Sequence, residues 1–314
     1  MKTKILITCP PMLKQIDSFK EKFDELNMSI TTPEVLQTLT VDQLMDLVPL
    51  HDGWIIGDDP ATAEVFKAGK SGYLKAAVKW GIGVDNVDFS ACEKLSIPIT
   101  NTPGMFGAEV ADLAMCYLLG LARDAFFIDR EIRAGNWPKP AGMSLKKKVL
   151  GIVGLGDIGR NIAKRANSHD LEILGWDPYV VELPDYIEKI EKWPDSIQRC
   201  DFIIFACALT EETKYLFNHS ILDKLKSGVR IINISRGHLV EEAALMSGLD
   251  NGIVDSAALD VFEDEPLGKD HSILKYDRCI LGSHNASNTI DAVERASTEA
   301  INSLHAFLIQ DQKQ

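Results

Sequence analysis

One stretch near the middle of the chain constrains its folding more than any other: a glycine-rich run between two apolar segments. Residues 149–153 form an apolar run typical of a buried strand, and the glycine pattern GxGxxG follows at once over residues 154–159. A second apolar run, residues 171–176, ends directly before Asp177. Strand, glycine turn, helix and second strand in this order predict a βαβ unit, and therefore a parallel sheet covered by helices.

The three glycines have separate physical roles in such a turn. Gly154 permits the tight turn from strand to helix, Gly156 lets the backbone approach a ligand, and Gly159 packs the helix on its strand. A helix that begins near Asp157 and Ile158 offers unpaired N–H groups and the positive end of its dipole to a diphosphate. The sequence therefore predicts a dinucleotide site formed by these five residues.

Asp177 discriminates between the two nicotinamide dinucleotides. It lies 18 residues after Gly159 (177 − 159), where a carboxylate accepts hydrogen bonds from both ribose hydroxyls. The same carboxylate repels a 2′-phosphate, and residues 178–188 contain no Lys or Arg that would receive one. We therefore expect NAD, rather than NADP, as the cofactor.

Composition argues against several other classes of protein. The net charge of −13 disfavours a nucleic-acid partner, and no apolar stretch approaches the roughly 18–20 residues of a membrane span. The first residues are better interpreted as a strand than as a signal peptide. Six cysteines without a CxxC pair predict buried thiols in a reducing, cytoplasmic compartment, with neither disulfides nor zinc.

Alternating apolar runs and helix-length segments predict an α/β fold with two doubly wound parallel sheets. A helix over residues 106–136 is expected to be long and buried, and a final helix over 290–309 to pack on the first domain. We predict a smaller, flavodoxin-like substrate domain (residues 1–101 and 286–314) with a Rossmann NAD domain (residues 102–285) inserted into it and a hinge at the two crossings. The expected strands span residues 4–8, 54–57, 74–78, 97–100, 149–153, 171–176, 202–206, 229–234, 253–261 and 279–281.

Three charged residues follow predicted strands, where ligands of open α/β sheets bind. They are Arg236, Glu265 and His284. A histidine suits acid–base work because its unperturbed pKa of about 6.5 lies near working pH. Taken singly, each residue is equally compatible with a surface or salt-bridge role.

Six stretches, in order along the chain, match motifs of a known family: residues 81–88, 101–104, 154–159, 233–237, 260–266 and 283–284. In these stretches the sequence resembles the D-isomer-specific 2-hydroxyacid dehydrogenases, including the phosphoglycerate dehydrogenases. The resemblance implies that Arg236 orients the substrate, and that Glu265 and His284 form the acid/base pair.

The resemblance also implies roles for further residues. Asp260 holds the nicotinamide amide, and Cys207, Ile234 and Ser235 line the dinucleotide. For the substrate side, the implied residues are Gly81, Ile82 and Gly83, through backbone N–H groups that bind a carboxylate, and Lys79, which meets a substrate anion.

The substrate itself stays open at this stage. 3-Phosphoglycerate is the leading candidate, although residues 57–62 carry two acids, which repel a phosphate, where phosphoglycerate-specific members often have an arginine. Glyoxylate or hydroxypyruvate reductases and non-catalytic, NAD-sensing corepressors are the alternatives. Glu265 argues against the formate dehydrogenase branch, which has a glutamine there. The resemblance further implies a homodimer, and residues 126–128 (FFI) would leave an apolar surface without a partner.

Overall fold

The computed structural model describes residues 2–190 and 192–311 of the chain. They form two compact units: one contains the described parts of Met1–Phe106 and Asn288–Gln314, and the other is Gly107–Ser287. The chain therefore leaves the first unit and returns to it after completing the second. The divisions lie after residues 106 and 287, whereas the sequence placed them after 101 and 285.

The first unit contains a five-stranded parallel sheet with the order β2-β1-β3-β4-β5. This is the flavodoxin-like order, with a topological switch between β1 and β3. The strands are β1 (Thr3–Ile7), β2 (Met28–Thr31), β3 (Gly53–Ile56), β4 (Ala76–Lys79) and β5 (Ile99–Asn101). The helices are α1 (Pro10–Lys14), α2 (Lys20–Glu25), α3 (Val41–Leu47), α4 (Ala63–Ser71), α5 (Phe89–Lys94) and, at the end of the chain, α11 (Ile290–Asp311).

The final helix, α11, returns to this sheet. It packs on β3 and β4, two strands that are buried along their whole length. The side chain of Leu304 lies so near Gly53 that a methyl group there would be 3.1 Å from it. An apolar helix face therefore covers the centre of the sheet.

The second unit contains a seven-stranded parallel sheet with the order β12-β11-β10-β9-β6-β7-β8. Counted from β6, this is the doubly wound order 3-2-1-4-5-6 with one strand added, and its switch point lies between β6 and β9. The strands are β6 (Val149–Val153), β7 (Glu172–Trp176), β8 (Ile187–Ile190), β9 (Phe202–Phe205), β10 (Val229–Asn233), β11 (Val254–Leu259) and β12 (Ile280–Leu281). The helices are α6 (Gly107–Arg123), α7 (Ala125–Arg133), α8 (Asp157–Asn167), α9 (His219–Leu222) and α10 (Glu242–Asp250).

Both sheets contain one strand that the sequence did not predict. β2 and β8 lie at sheet edges, and their sequences, MSIT and IEKI, mix polar with apolar residues. An edge strand exposes part of its surface to water, so it lacks the continuous apolar run on which the prediction relied.

The prediction of one long buried helix over residues 106–136 is wrong. The helix breaks at Asp124, which adopts a left-handed conformation (φ 52°) and whose carboxylate accepts hydrogen bonds from Arg278 at 2.9 and 3.1 Å. The break turns the chain so that the Phe126 ring packs against Gly120. α6 is largely buried, but α7 contains no buried residue.

Two further expectations concern the surface. Within the described residues, no helix is long and apolar enough to cross a membrane. The expectation of buried thiols holds for Cys9, Cys92, Cys200 and Cys279, but Cys116 on α6 is exposed.

Candidate functional site

The glycine turn after β6 is tightly closed at two positions and open at the third. Gly154 has a φ of +94°, and a methyl group there would lie 2.6 Å from the backbone nitrogen of Cys207. A methyl group at Gly159 would overlap the carbonyl oxygen of Gly154. At Gly156, in contrast, a methyl group would meet no heavy atom within 4 Å. This open space beside Gly156, at the switch point of the sheet, is where we expect a diphosphate to bind.

The N-terminus of α8 faces this turn. Gly156 is its N-cap and supplies no side-chain cap, so the N–H groups of the first turn remain as donors for a phosphate. The Asp157 carboxylate lies against Gly107 and accepts a hydrogen bond from Asn161 at 3.0 Å. Because the Asp157 side chain has these partners within the protein, we expect Asp157 and Ile158 to meet a diphosphate through their backbone N–H groups.

Asp177 follows β7 and is oriented by three backbone amides. One carboxylate oxygen accepts from Leu155 at 2.8 Å, and the other from Tyr179 at 2.9 Å and Val180 at 3.2 Å. Each carboxylate oxygen retains further acceptor capacity for a ribose hydroxyl. The glycine turn, the helix terminus and this carboxylate together fit the diphosphate and ribose of NAD.

A hydrogen bond joins the two loops that follow β9 and β10, at the carboxyl ends of these strands. The Ser235 hydroxyl donates to the Cys207 carbonyl oxygen at 2.5 Å, and Ile234, between Ser235 and the strand, is buried. Burial, with a smaller effect of Asp177, raises the pKa of the Cys207 thiol to about 12. The thiol is therefore neutral at working pH, and this residue offers packing and backbone groups rather than a nucleophile.

Arg236 follows β10 and has an extended backbone. Its carbonyl oxygen accepts a hydrogen bond from the buried side chain of Asn233 at 2.8 Å, and its guanidinium donates to the Ser235 carbonyl oxygen at 2.8 Å. The next residue, Gly237, packs so closely on the backbone of Phe262 that a methyl group there would overlap it. The loop that carries Arg236 is thus held by the end of β10 on one side and by the segment that follows β11 on the other.

Glu265 and His284 form a direct pair. The Nδ1 atom of His284 lies 2.8 Å from Oε2 of Glu265, and the side chains are 21% and 20% exposed. The second oxygen of Glu265 accepts from the backbone N–H of Phe262 at 3.0 Å, which fixes the direction of the carboxylate. A carboxylate at Nδ1 leaves Nε2 to exchange a proton with a substrate and stabilises the imidazolium.

Neighbouring parallel strands bring these groups to one edge of the sheet. Arg236 follows β10, Glu265 follows β11 and His284 follows β12, and these strands are adjacent in the order β12-β11-β10. An acid–base pair and a guanidinium at one sheet edge suit the conversion of a hydroxyl into a carbonyl beside a carboxylate.

Asp260, expected to hold the nicotinamide amide, is fully buried. Its carboxylate accepts from the Tyr117 hydroxyl at 3.1 Å and from the backbone N–H of Ala286 at 2.8 Å. The sequence placed Tyr117 only on the apolar face of a helix. A tyrosine on such a face carries a hydroxyl that needs a hydrogen-bond partner when it is buried. This requirement was the only sign in the sequence that Tyr117 contacts a polar group.

The predicted substrate residues lie in the first unit, after β4. Lys79 is 2% exposed, and its ammonium donates to Asp58 and to the Trp80 carbonyl oxygen, both at 3.0 Å. This ammonium is therefore already neutralised by a carboxylate. The second acid, Asp59, is buried, and its carboxylate accepts hydrogen bonds from Thr8, Leu39 and Gly57.

The glycine loop beside Lys79 is tied to the strand that follows it. The Gly81 N–H donates to the Thr102 hydroxyl at 2.8 Å, and Asn101 donates to the Ile82 carbonyl oxygen at 3.1 Å. A contribution of this loop to a substrate carboxylate therefore has to come from the N–H groups of Ile82 and Gly83.

Comparison with known proteins agrees with this geometry. Residues 115–286 match the family model described as the NAD-binding domain of D-isomer-specific 2-hydroxyacid dehydrogenases. Hydroxypyruvate reductase of Thermotoga maritima is 34% identical over 269 residues, which cover 84% of this chain and 87% of the relative. D-3-Phosphoglycerate dehydrogenase of Methanocaldococcus jannaschii is 32% identical over 307 residues, covering 94% of this chain but 55% of the longer relative.

A solved structure supports the same assignment. The glyoxylate reductase from Paecilomyes thermophila superimposes with a TM-score of 0.80 at 25% sequence identity, covering 96% of this chain and 94% of that chain. The family match extends over the glycine turn, Asp177 and the three charged residues of the second unit. The chain belongs to the D-isomer-specific 2-hydroxyacid dehydrogenase family and is an NAD-dependent oxidoreductase.

Proposed function

We propose that the enzyme interconverts a small, unphosphorylated D-2-hydroxy acid and its 2-oxo acid, with His284, Glu265 and Arg236 as the residues that act on the substrate. The observation that carries the proposal is the contact of 2.8 Å between the imidazole and the carboxylate. NAD, when bound, accepts or supplies the hydride. The residues of this chain handle the proton and the charges.

In the direction of reduction, the imidazolium of His284 donates its Nε2 proton to the carbonyl oxygen of the substrate. Glu265 stabilises the imidazolium and keeps the ring oriented. In the direction of oxidation, the neutral imidazole accepts the proton of the hydroxyl. Arg236 binds the substrate carboxylate with two parallel hydrogen bonds and polarises the reacting oxygen, a geometry that lysine does not provide.

The resemblance implies substrate-binding residues in the first unit, and the charges of that unit favour an unphosphorylated substrate. Lys79, the cation nearest to the glycine loop in sequence, already forms an ion pair with Asp58. A phosphate near Asp58 would meet a carboxylate that is 36% exposed. The similarity to a hydroxypyruvate reductase agrees with an unphosphorylated substrate. Because another relative is named D-3-phosphoglycerate dehydrogenase, the test also includes the phosphorylated 2-oxo acid.

The test measures NADH consumption with glyoxylate, hydroxypyruvate and 3-phosphohydroxypyruvate. We expect kcat/KM to be at least tenfold higher for one of the first two than for the phosphorylated acid. His284→Ala should lower kcat by about 10²–10⁴-fold, and Arg236→Lys should raise KM. Preference for 3-phosphohydroxypyruvate would refute the proposed substrate class, and tight NADH binding without turnover of any 2-oxo acid would refute the enzymatic role of the three residues.

We also propose that two copies associate through α6 and α7. Leu119, Phe126 and Ile132 are 36–42% exposed, and a cavity of about 640 Å³ between α6, α7 and α8 is lined by Met115, Leu119 and Phe126 among others. Light scattering should give twice the mass of the chain, and Leu119→Glu should give a monomer. A monomeric wild-type protein would overturn this proposal.

The scattered cysteines support a cytoplasmic location.

A further inference from the structure

Asp260 contacts the segment that carries His284 at two points. Its backbone carbonyl oxygen accepts the N–H of His284 at 2.6 Å, and its carboxylate accepts the N–H of Ala286 at 2.8 Å. Asp260, the first residue after β11, therefore binds the backbone at His284 and again two residues later, at Ala286.

The backbone of His284 needs such restraint. His284 has a φ of 53°, in the left-handed region that non-glycine residues adopt at an energetic cost. The two hydrogen bonds to Asp260 and the contact with Glu265 together define where the ring lies. If either backbone bond loosens, the residue is able to relax toward a right-handed or extended conformation and the imidazole moves.

The Asp260 carboxylate is itself held by a tyrosine from α6. The Tyr117 hydroxyl donates to Oδ1 at 3.1 Å, opposite the oxygen that binds Ala286. Asp260 is fully buried and Tyr117 is 5% exposed, so water does not readily replace this donor. Burial and the nearby carboxylate raise the pKa of Tyr117, so its hydroxyl keeps the proton that it donates.

The surrounding packing is shaped around this hydrogen bond. A methyl group at Gly282 would overlap both the Tyr117 hydroxyl and the Asp260 carboxylate. Glycine at this position lets the chain that leads to His284 pass directly over the pair. The N–H of Gly282 donates to the Leu259 carbonyl oxygen at 2.7 Å, which continues the same set of contacts.

We propose that Tyr117 is a positioning residue for His284. Its hydroxyl orients the Asp260 carboxylate, and this carboxylate holds the backbone at Ala286, two residues after His284. The proposal rests on the proposed role of His284. It assigns to the Asp260 carboxylate a structural task in this chain, beside the contact with the nicotinamide amide that the resemblance implies.

Tyr117→Phe tests the proposal because it removes only the hydroxyl. We expect kcat for 2-oxo acid reduction to fall by about 5–20-fold, since small displacements of a reacting group have large effects on rate. NADH affinity should stay within about twofold. The stoichiometry of NADH binding gives the fraction of assembled sites, and kcat is divided by it, so that partial misfolding does not imitate the effect.

Combination with His284→Ala separates positioning from other roles. If Tyr117 acts through the imidazole, Tyr117→Phe should change the residual single-turnover rate of the His284→Ala enzyme by less than twofold. Asp260→Asn should show the same dependence on His284. Tyr276→Phe is the matched control, because it also removes a tyrosine–aspartate hydrogen bond, to Asp250 at 2.8 Å, and should leave kcat unchanged.

Three results would overturn the proposal. The first is a Tyr117→Phe enzyme with kcat within twofold of the wild type. The second is a Tyr117→Phe enzyme that loses NADH affinity and keeps its kcat. The third is a loss of rate on Tyr117→Phe that is equally large in the His284→Ala background. A His284→Ala enzyme with wild-type kcat would instead refute the proposed function, so the two failures are distinguishable.

Discussion

Replacement of Glu265 by glutamine should lower the rate of reduction while leaving the fold intact. Glutamine has nearly the same shape, and its side-chain oxygen is still able to accept the N–H of Phe262, which Glu265 accepts at 3.0 Å. What is lost is the negative charge 2.8 Å from Nδ1 of His284. The neutral amide no longer stabilises an imidazolium.

The size of the effect follows from the distance and exposure of the pair. Unit charges roughly 4 Å apart interact with about 4 kcal/mol at an effective dielectric constant near 20. Both side chains are about one-fifth exposed, so water screens part of this energy. A loss of about 1.4–2.8 kcal/mol from the transition state corresponds to a fall of about 10–100-fold in kcat.

The assay is NADH oxidation at saturating 2-oxo acid, with NADH affinity measured by fluorescence titration. Glu241→Gln is the control, because Glu241 forms a Glu–His pair with His219 at 3.3 Å on the surface. It should retain wild-type kcat. A Glu265→Gln enzyme with normal NADH affinity and kcat within twofold of the wild type would show that the carboxylate does not stabilise the charge of the imidazole.

Three further predictions concern the cofactor turn and the thiols. Gly159→Ala should destabilise the protein by about 1–3 kcal/mol in denaturant titrations, because the added methyl group overlaps the backbone. Gly156→Ala should instead leave the stability unchanged and weaken NADH binding. Equal losses of stability in the two variants would contradict this prediction. Asp177→Ala should reduce NADH affinity more than NADPH affinity, and an unchanged affinity ratio would argue against ribose recognition. A thiol reagent should label Cys207 slowly at neutral pH, because burial raises the pKa of its thiol to about 12; rapid labelling that Cys207→Ser abolishes would contradict this.

Much of the architecture was predictable because buried parallel strands appear as continuous apolar runs. The runs at 149–153 and 202–206 became β6 and β9, and the glycine pattern after the first run marked the switch point of the sheet. The edge strands β2 and β8 carry no such signal, since only one residue of each is buried and polar residues are mixed with apolar ones.

Helix boundaries depended on contacts that are distant in sequence. Apolar periodicity continues past Asp124, but the interaction of its carboxylate with Arg278 stabilises a left-handed break there. The periodicity was therefore a correct signal for α6 and a misleading one for the segment that became α7.

For the candidate site, the sequence by itself determined which chemical groups are present and which strand ends carry them. Tertiary structure decided which groups meet: Glu265 contacts His284, whereas Lys79 is neutralised by Asp58. It also joined Tyr117 to Asp260 across 143 residues. The physical reason is that periodicity and motif spacing describe local backbone, while ion pairs and buried hydrogen bonds are selected by the packing of segments that are far apart in the chain.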